Sequence, residues 1–132
     1  FPVPALLGRA DVIAMPHIGA STAEAEENCA VMAADQLMEF LEHGNIRNSV
    51  NFPTTRMARN GGYRLTFANA NVPKVLGKVL AVIADCNNNV LDLVNQSRDD
   101  LAYNIIDVEQ PLDSCTLDQI AAIEGVIRVR AL

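Results

Sequence analysis

The chain has 132 residues, 50% hydrophobic and 20% charged, so it holds one ordinary domain or two small ones and lies far from the composition of a disordered segment. Its net charge of −6 comes with ten basic residues scattered along the chain, which argues against a nucleic-acid partner. No apolar run approaches the roughly 20 residues a membrane span needs, so no membrane partner is expected.

Cys29, Cys86 and Cys115 are an odd number and far apart, which points to neither a disulfide framework nor a metal site and suits reduced thiols in the cytoplasm. The chain opens on Phe1 with no basic segment leading into an apolar run. No secretory signal is therefore expected, and a piece of a longer protein is.

Phe1 to Arg9, with two prolines and a glycine, has no pattern of its own. Asp11 to Met15 reads as a short buried strand ending at Pro16, and His17 to Ala20 as a tight loop. Ser21 and Glu24 form a capping box that starts a helix of roughly six turns, running from about 21 to His43-Gly44. Ala25, Cys29, Met32, Leu37, Phe40 and Leu41 share one face of it, too broad to be covered by the few residues before it. Asn45 to Val50 reads as a polar exit and 54–62 as a linker, so the expected organisation is 1–53, linker, and a domain over 63–132.

In that last part Arg64 to Ala68 alternates as a half-buried strand should. Asn69 and Asn71 can cap a helix beginning near Val72, with Pro73 in its first turn. Val75, Leu76, Val79, Leu80, Val82 and Ile83 then recur at helical spacing. Val90–Val94 and Tyr103–Val108 read as strands joined through 97–100. Thr116 and Gln119 read as a capping box for a helix over 117–123, and Val126–Arg130 as a fourth strand. The predicted fold class is α+β: a βαββαβ, ferredoxin-like domain whose four-stranded antiparallel sheet carries two helices on one face, preceded by a long α-helix.

Two segments carry chemistry. His17 sits in a loop between a strand and a capped helix, where it is either an acid–base group or an ordinary loop histidine. Asn69, Asn71 and Asn89 either surround a ligand at a helix N-terminus or merely cap a helix and turn a loop.

The run MPHIGAST, followed by AEAEEN and a long helix, resembles the TPHIGGST segment of the D-2-hydroxyacid dehydrogenases. Asn51-Phe52-Pro53, Gly61-Gly62 and the later strand with its Asn-x-Pro resemble the C-terminal part of the serine-biosynthetic members of that family. The resemblance implies that His17 is the catalytic proton donor and acceptor of an intact, NAD-dependent parent, with Gly19 and Ala20 beside the cofactor and Ala20 replacing the second Gly of the pattern. It also implies that this stretch alone is inactive and binds no NAD.

Residues 63–132 are similar to ACT domains, which implies amino-acid effector binding, serine for example, at Asn69, Asn71 and Asn89, between two domains paired side by side. A homo-oligomer through this domain and the long helix is then expected. Lys74 stands where the family keeps Gly, and Asn69 where serine-inhibited members keep His. The rival reading is a stand-alone, non-catalytic module for amino-acid sensing or dimerisation.

Overall fold

The computed structural model describes residues 3–132, in two compact units, the first ending at Asp35 and the second running from Gln36 to Leu132. No helix among the described residues is long and apolar enough to cross a membrane.

The first unit holds a 3-10 turn, Pro4–Leu6, and the start of helix α1, Ala23–His43. The strand expected at 11–15 is not formed. The segment has no neighbouring strand among the described residues to take its backbone hydrogen bonds, and an unpaired strand is not a stable element. The cap of α1 also sits one residue later than expected. Thr22 Oγ1, not Ser21, accepts from the N–H of Ala25 at 3.1 Å. Among the described residues none before Gly44 is buried, and Val31, Met32, Leu37, Met38 and Leu41 on α1 are each at least half exposed.

The second unit is built on β1 (Tyr63–Ala70), α2 (Val75–Asp85), β2 (Val90–Arg98), β3 (Leu101–Val108), α3 (Ser114–Ala121) and β4 (Val126–Ala131). The strands form one antiparallel sheet in the order β2-β3-β1-β4. This is the expected ACT-like βαββαβ arrangement, with β1 and β3 central because each connection out of β1 and β3 crosses over a helix.

Two boundaries moved for local reasons. α2 begins at Val75 rather than near Val72, after Lys74 at φ +76°, and no side chain caps it. α3 begins at Ser114 because Asp113, an acceptor as good as any at this position, takes the N–H of Thr116 at 2.7 Å. Thr116 is thus a first-turn residue and not the cap.

Alternation sorts the sheet into two buried faces. Leu65, Phe67, Ile106 and Val108 meet Val79 and Ile83 of α2 and Ile120 of α3 on the first face. The second face carries Ala68, Tyr103 and Ile105, packed with Phe40 at the end of α1 and with Ile46, Phe52 and Met57. Two helices on one face are therefore as expected, but the other face is covered too. Its cover is the stretch after α1, folded back by an antiparallel bridge between Ile46 and Thr55 and held by Asn45, whose side chain accepts from Met57 N–H at 3.0 Å and donates to Glu39 at 2.6 Å. Thr55 and Met57, within the stretch expected as a linker, are buried.

Three side chains join that cover to the sheet. Arg64, fully buried on β1, makes a bidentate pair with Asp107 on β3 at 2.6 and 2.7 Å and donates to the carbonyls of His43, Met57 and Ala58 at 2.9–3.0 Å. Arg130 donates to the carbonyl of Phe40, which also accepts from Gly44 N–H, and to that of Leu41 in the last turn of α1. Tyr103 donates its hydroxyl to Gly44 at 2.8 Å. Gly44 has φ +71°, and a Cβ there would lie 2.5 Å from Thr66 Cγ2, so only glycine turns the chain this close to β1.

Arg64→Met is expected to cost about 3–5 kcal/mol, because it leaves Asp107 charged and buried without a partner. Arg64→Met with Asp107→Leu should recover most of that loss in urea unfolding. Burial raises the Tyr103 hydroxyl above its ordinary pKa near 10.0, against smaller lowering by Thr66, Arg130 and Arg64. The folded state keeps this proton to higher pH than the unfolded chain, so stability is full below about pH 10 and falls as pH rises beyond it. Tyr103→Phe should flatten that alkaline loss in a pH series of melting temperatures while costing about 1 kcal/mol at neutral pH.

Candidate functional site

His17 lies in the exposed loop before α1, closed by the N–H of Ser21 donating to Ile18 O at 3.1 Å. Among the described residues its ring makes no hydrogen bond. Gly19 has nothing within 4 Å of where a Cβ would stand, so the loop around Gly19 and Ala20 forms no close cradle. These residues do not by themselves fit a dinucleotide, whose pyrophosphate needs converging backbone N–H groups at a Gly-rich turn.

The second unit separates the three asparagines that the sequence grouped. Asn69, the next-to-last residue of β1, is buried on the helix-bearing face. Its Nδ2 donates to Ala70 O at 2.7 Å, and its Oδ1 accepts from Asn104 of β3, also at 2.7 Å. Asn104 accepts in turn from Asn95 of β2. Asn69 is thus the inner end of a three-residue amide ladder, and both halves of its side chain are spent.

Asn104 and Asn95 were not singled out from the sequence. The signal was present: Asn104 sits at the alternate positions shared with Ile106 and Val108, an apolar register where a polar residue needs buried partners.

Asn71 is exposed. Its Nδ2 donates to Asp99 O at 3.0 Å and its backbone N–H to Asp100 O at 2.9 Å, tying the entry to α2 to the two-residue β2–β3 turn. Its Oδ1 stays open to solvent beside the N-terminus of α2. The residue is therefore neither a helix cap nor fully committed to the fold.

Asn89 lies beyond the other end of α2. Its carbonyl accepts from Glu109 N–H at 2.9 Å, while its side chain is exposed and without a partner among the described residues. The length of β3 separates it from Asn71, about 24 Å at 3.4 Å per residue. A single chain does not bring the three together. In the Cys86-Asn87-Asn88-Asn89 turn the other two amides are structural: Asn87 takes φ +54°, and buried Asn88 exchanges two hydrogen bonds with Gln110, at 2.8 and 3.0 Å.

Lys74 occupies the left-handed conformation that glycine adopts without cost. Its backbone therefore matches a glycine position even though its side chain does not.

No protein-family model matches the chain. It is 34% identical over 123 residues to D-3-phosphoglycerate dehydrogenase of Haemophilus influenzae, covering 92% of this chain and 30% of that protein. To D-3-phosphoglycerate dehydrogenase 1 of Saccharomyces cerevisiae it is 30% identical over 108 residues, 78% of this chain and 23% of the relative. The chain thus spans under a third of the length of the curated relatives it matches. Among solved structures, the ACT domain of GTP pyrophosphokinase from Chlorobium tepidum superposes with a TM-score of 0.47 at 14% identity, over 53% of this chain and 95% of that one.

Lys74→Gly should stabilise the fold by about 1 kcal/mol, since it relieves a left-handed residue that bears a Cβ. A matched pair of thermal melts checks this, and an unchanged or lower melting temperature would contradict the strain.

Proposed function

The chain corresponds to the C-terminal part of the D-3-phosphoglycerate dehydrogenases, and on that premise we propose that it is the regulatory end of such an enzyme, its ACT-like unit binding an amino-acid effector between two copies. In the intact parent His17 takes the proton from the hydroxyl of 3-phosphoglycerate when that carbon is oxidised. A nicotinamide cofactor would supply the hydride acceptor there, and the open loop at Gly19 and Ala20 would add at most an edge to its site. On its own the chain is inactive, because acid–base catalysis needs a substrate held within hydrogen-bond reach of the imidazole. Reduced thiols and the metabolic relatives suit a cytoplasmic location.

The observation that carries the two-copy reading is the opposed placement of Asn71 and Asn89. β2 is an edge strand of the sheet with unpaired backbone groups available to a neighbour. Two copies joined antiparallel along β2 would put the start of one β2 beside the end of the other. Asn89 of one copy then faces the turn and the α2 entry of its partner, where Asn71 stands with its Oδ1 free. A serine-sized ligand lying there meets the α2 N-terminus with its carboxylate, which accepts from free N–H groups in a positive potential. Its ammonium donates to amide oxygens. Asn69, spent within the fold on Ala70 and Asn104, does not touch the ligand.

Complementation between chains tests this. Asn71→Ala and Asn89→Ala should each weaken serine binding by about tenfold or more, as expected when one buried hydrogen-bonded group loses its partner. Mixing the two variants and allowing subunits to exchange should restore wild-type affinity at one site per mixed dimer. A site within one chain would show no recovery, and calorimetry on the mixture reads the difference directly.

A further inference from the structure

We propose that the second face of the sheet carries a binding site of its own, for a small aromatic monocarboxylate, in a cleft between the end of α1 and β4. The cleft has a volume of about 530 Å³, within the range of roughly 300–1,000 Å³ typical of small-molecule sites. It lies wholly within the second unit, on the side of the sheet away from α2 and α3, and so is separate from the asparagines.

The cleft exists because of side-chain size. Thr66 and Ala68 of β1 form its floor, and both are small beside their neighbours Tyr103 and Phe52, whose rings meet edge to face at 6.0 Å between centroids. Phe40 forms the α1 side. At the β4 side the pairing with β1 slips between Ala68 and Asn69, and the unpaired residue this leaves, Ile127, adds an exposed apolar edge. An aromatic body of two fused rings suits such a floor and walls, since aromatic edges and faces supply much of the contact energy in small apolar sites.

Charge selects the head group. The chain carries a net −6, yet the residues around this cleft include Arg47, Arg128 and Arg130 and no Asp or Glu. Arg130 is already engaged: it donates to Phe40 and Leu41 and lies 5.3 Å over the Phe40 ring. Arg47 and Arg128 are exposed and make no ion pair among the described residues. Two free guanidiniums at the rim of an apolar cleft, in a chain otherwise acidic, match one carboxylate at the end of an apolar body. The guanidinium fork accommodates both carboxylate oxygens at once.

The test is an amide NMR titration of the 132-residue chain with naphthalene-2-carboxylate and, in parallel, naphthalene-2-carboxamide. Saturable shifts are expected at Ile46, Ala68 and Tyr103 with the carboxylate, and binding weaker by about tenfold with the uncharged amide. Arg128→Gln, an exposed change, should weaken the carboxylate by a similar factor and leave the carboxamide unchanged. Ala68→Leu should abolish both while holding or raising the melting temperature, because it fills the floor. The proposal is overturned by the absence of saturable binding, by equal affinity for the two probes, or by shifts confined to the exposed face of α1. It is equally overturned if Ala68→Leu or Arg128→Gln lowers the mass seen in sedimentation, which would make the cleft an interface between copies.

Discussion

A single guanidinium, that of Arg64, sits where three stretches of chain must meet. Its paired oxygens come from Asp107 on the neighbouring strand, and its remaining N–H groups reach carbonyls at the end of α1 and at Met57 and Ala58. A charge this deeply buried is tolerated only when every donor is used. The geometry therefore brings the C-terminal end of α1, the returning stretch and the sheet to the one point where the charge is satisfied. Replacing the pair by apolar side chains could keep the stability, but it would remove the demand that these carbonyls come to this point.

That demand decides what the second face of the sheet becomes. An ACT-like sheet with two helices on one face has a second face to cover, and here the residues after α1 do so. Asn45 and the Ile46–Thr55 bridge hold the fold-back, and Gly44 lets it begin within contact of Thr66. Large side chains at Phe40, Phe52 and Tyr103 cover most of the face, and the small pair Thr66 and Ala68 leaves the remainder open as a cleft.

Asparagine does several different jobs in this fold, and only position separates them. Asn88 stitches two loops together, Asn87 accepts a left-handed backbone, and Asn69 and Asn104 satisfy each other beneath α2. Asn71 and Asn89 keep free amide atoms at the surface, and they stand at opposite ends of the sheet. Identical chemistry thus serves folding wherever a buried amide finds partners, and stays unspent at Asn71 and Asn89, where the sheet ends.

The sequence by itself determined the order and kind of nearly every element of the second unit. The period-two runs at 64–68, 103–108 and 126–130 and the helical repeat from Val75 are local patterns, set by the period at which side chains return to one side of a strand or helix. It determined helix ends less well, because Asp113 competes with Thr116, and Thr22 with Ser21, for the same backbone N–H groups, and the choice depends on where the incoming chain points. The histidine loop was legible as a motif, but its strand was not formed, since a strand exists only with a neighbour to bond. Tertiary structure alone decided that Arg64 would be the buried hub, that Asn69 would be consumed and Asn104 required, and that Asn71 and Asn89 would lie far apart in one chain. Each of these depends on which residues face each other across strands distant in sequence, and local periodicity carries no information about that register.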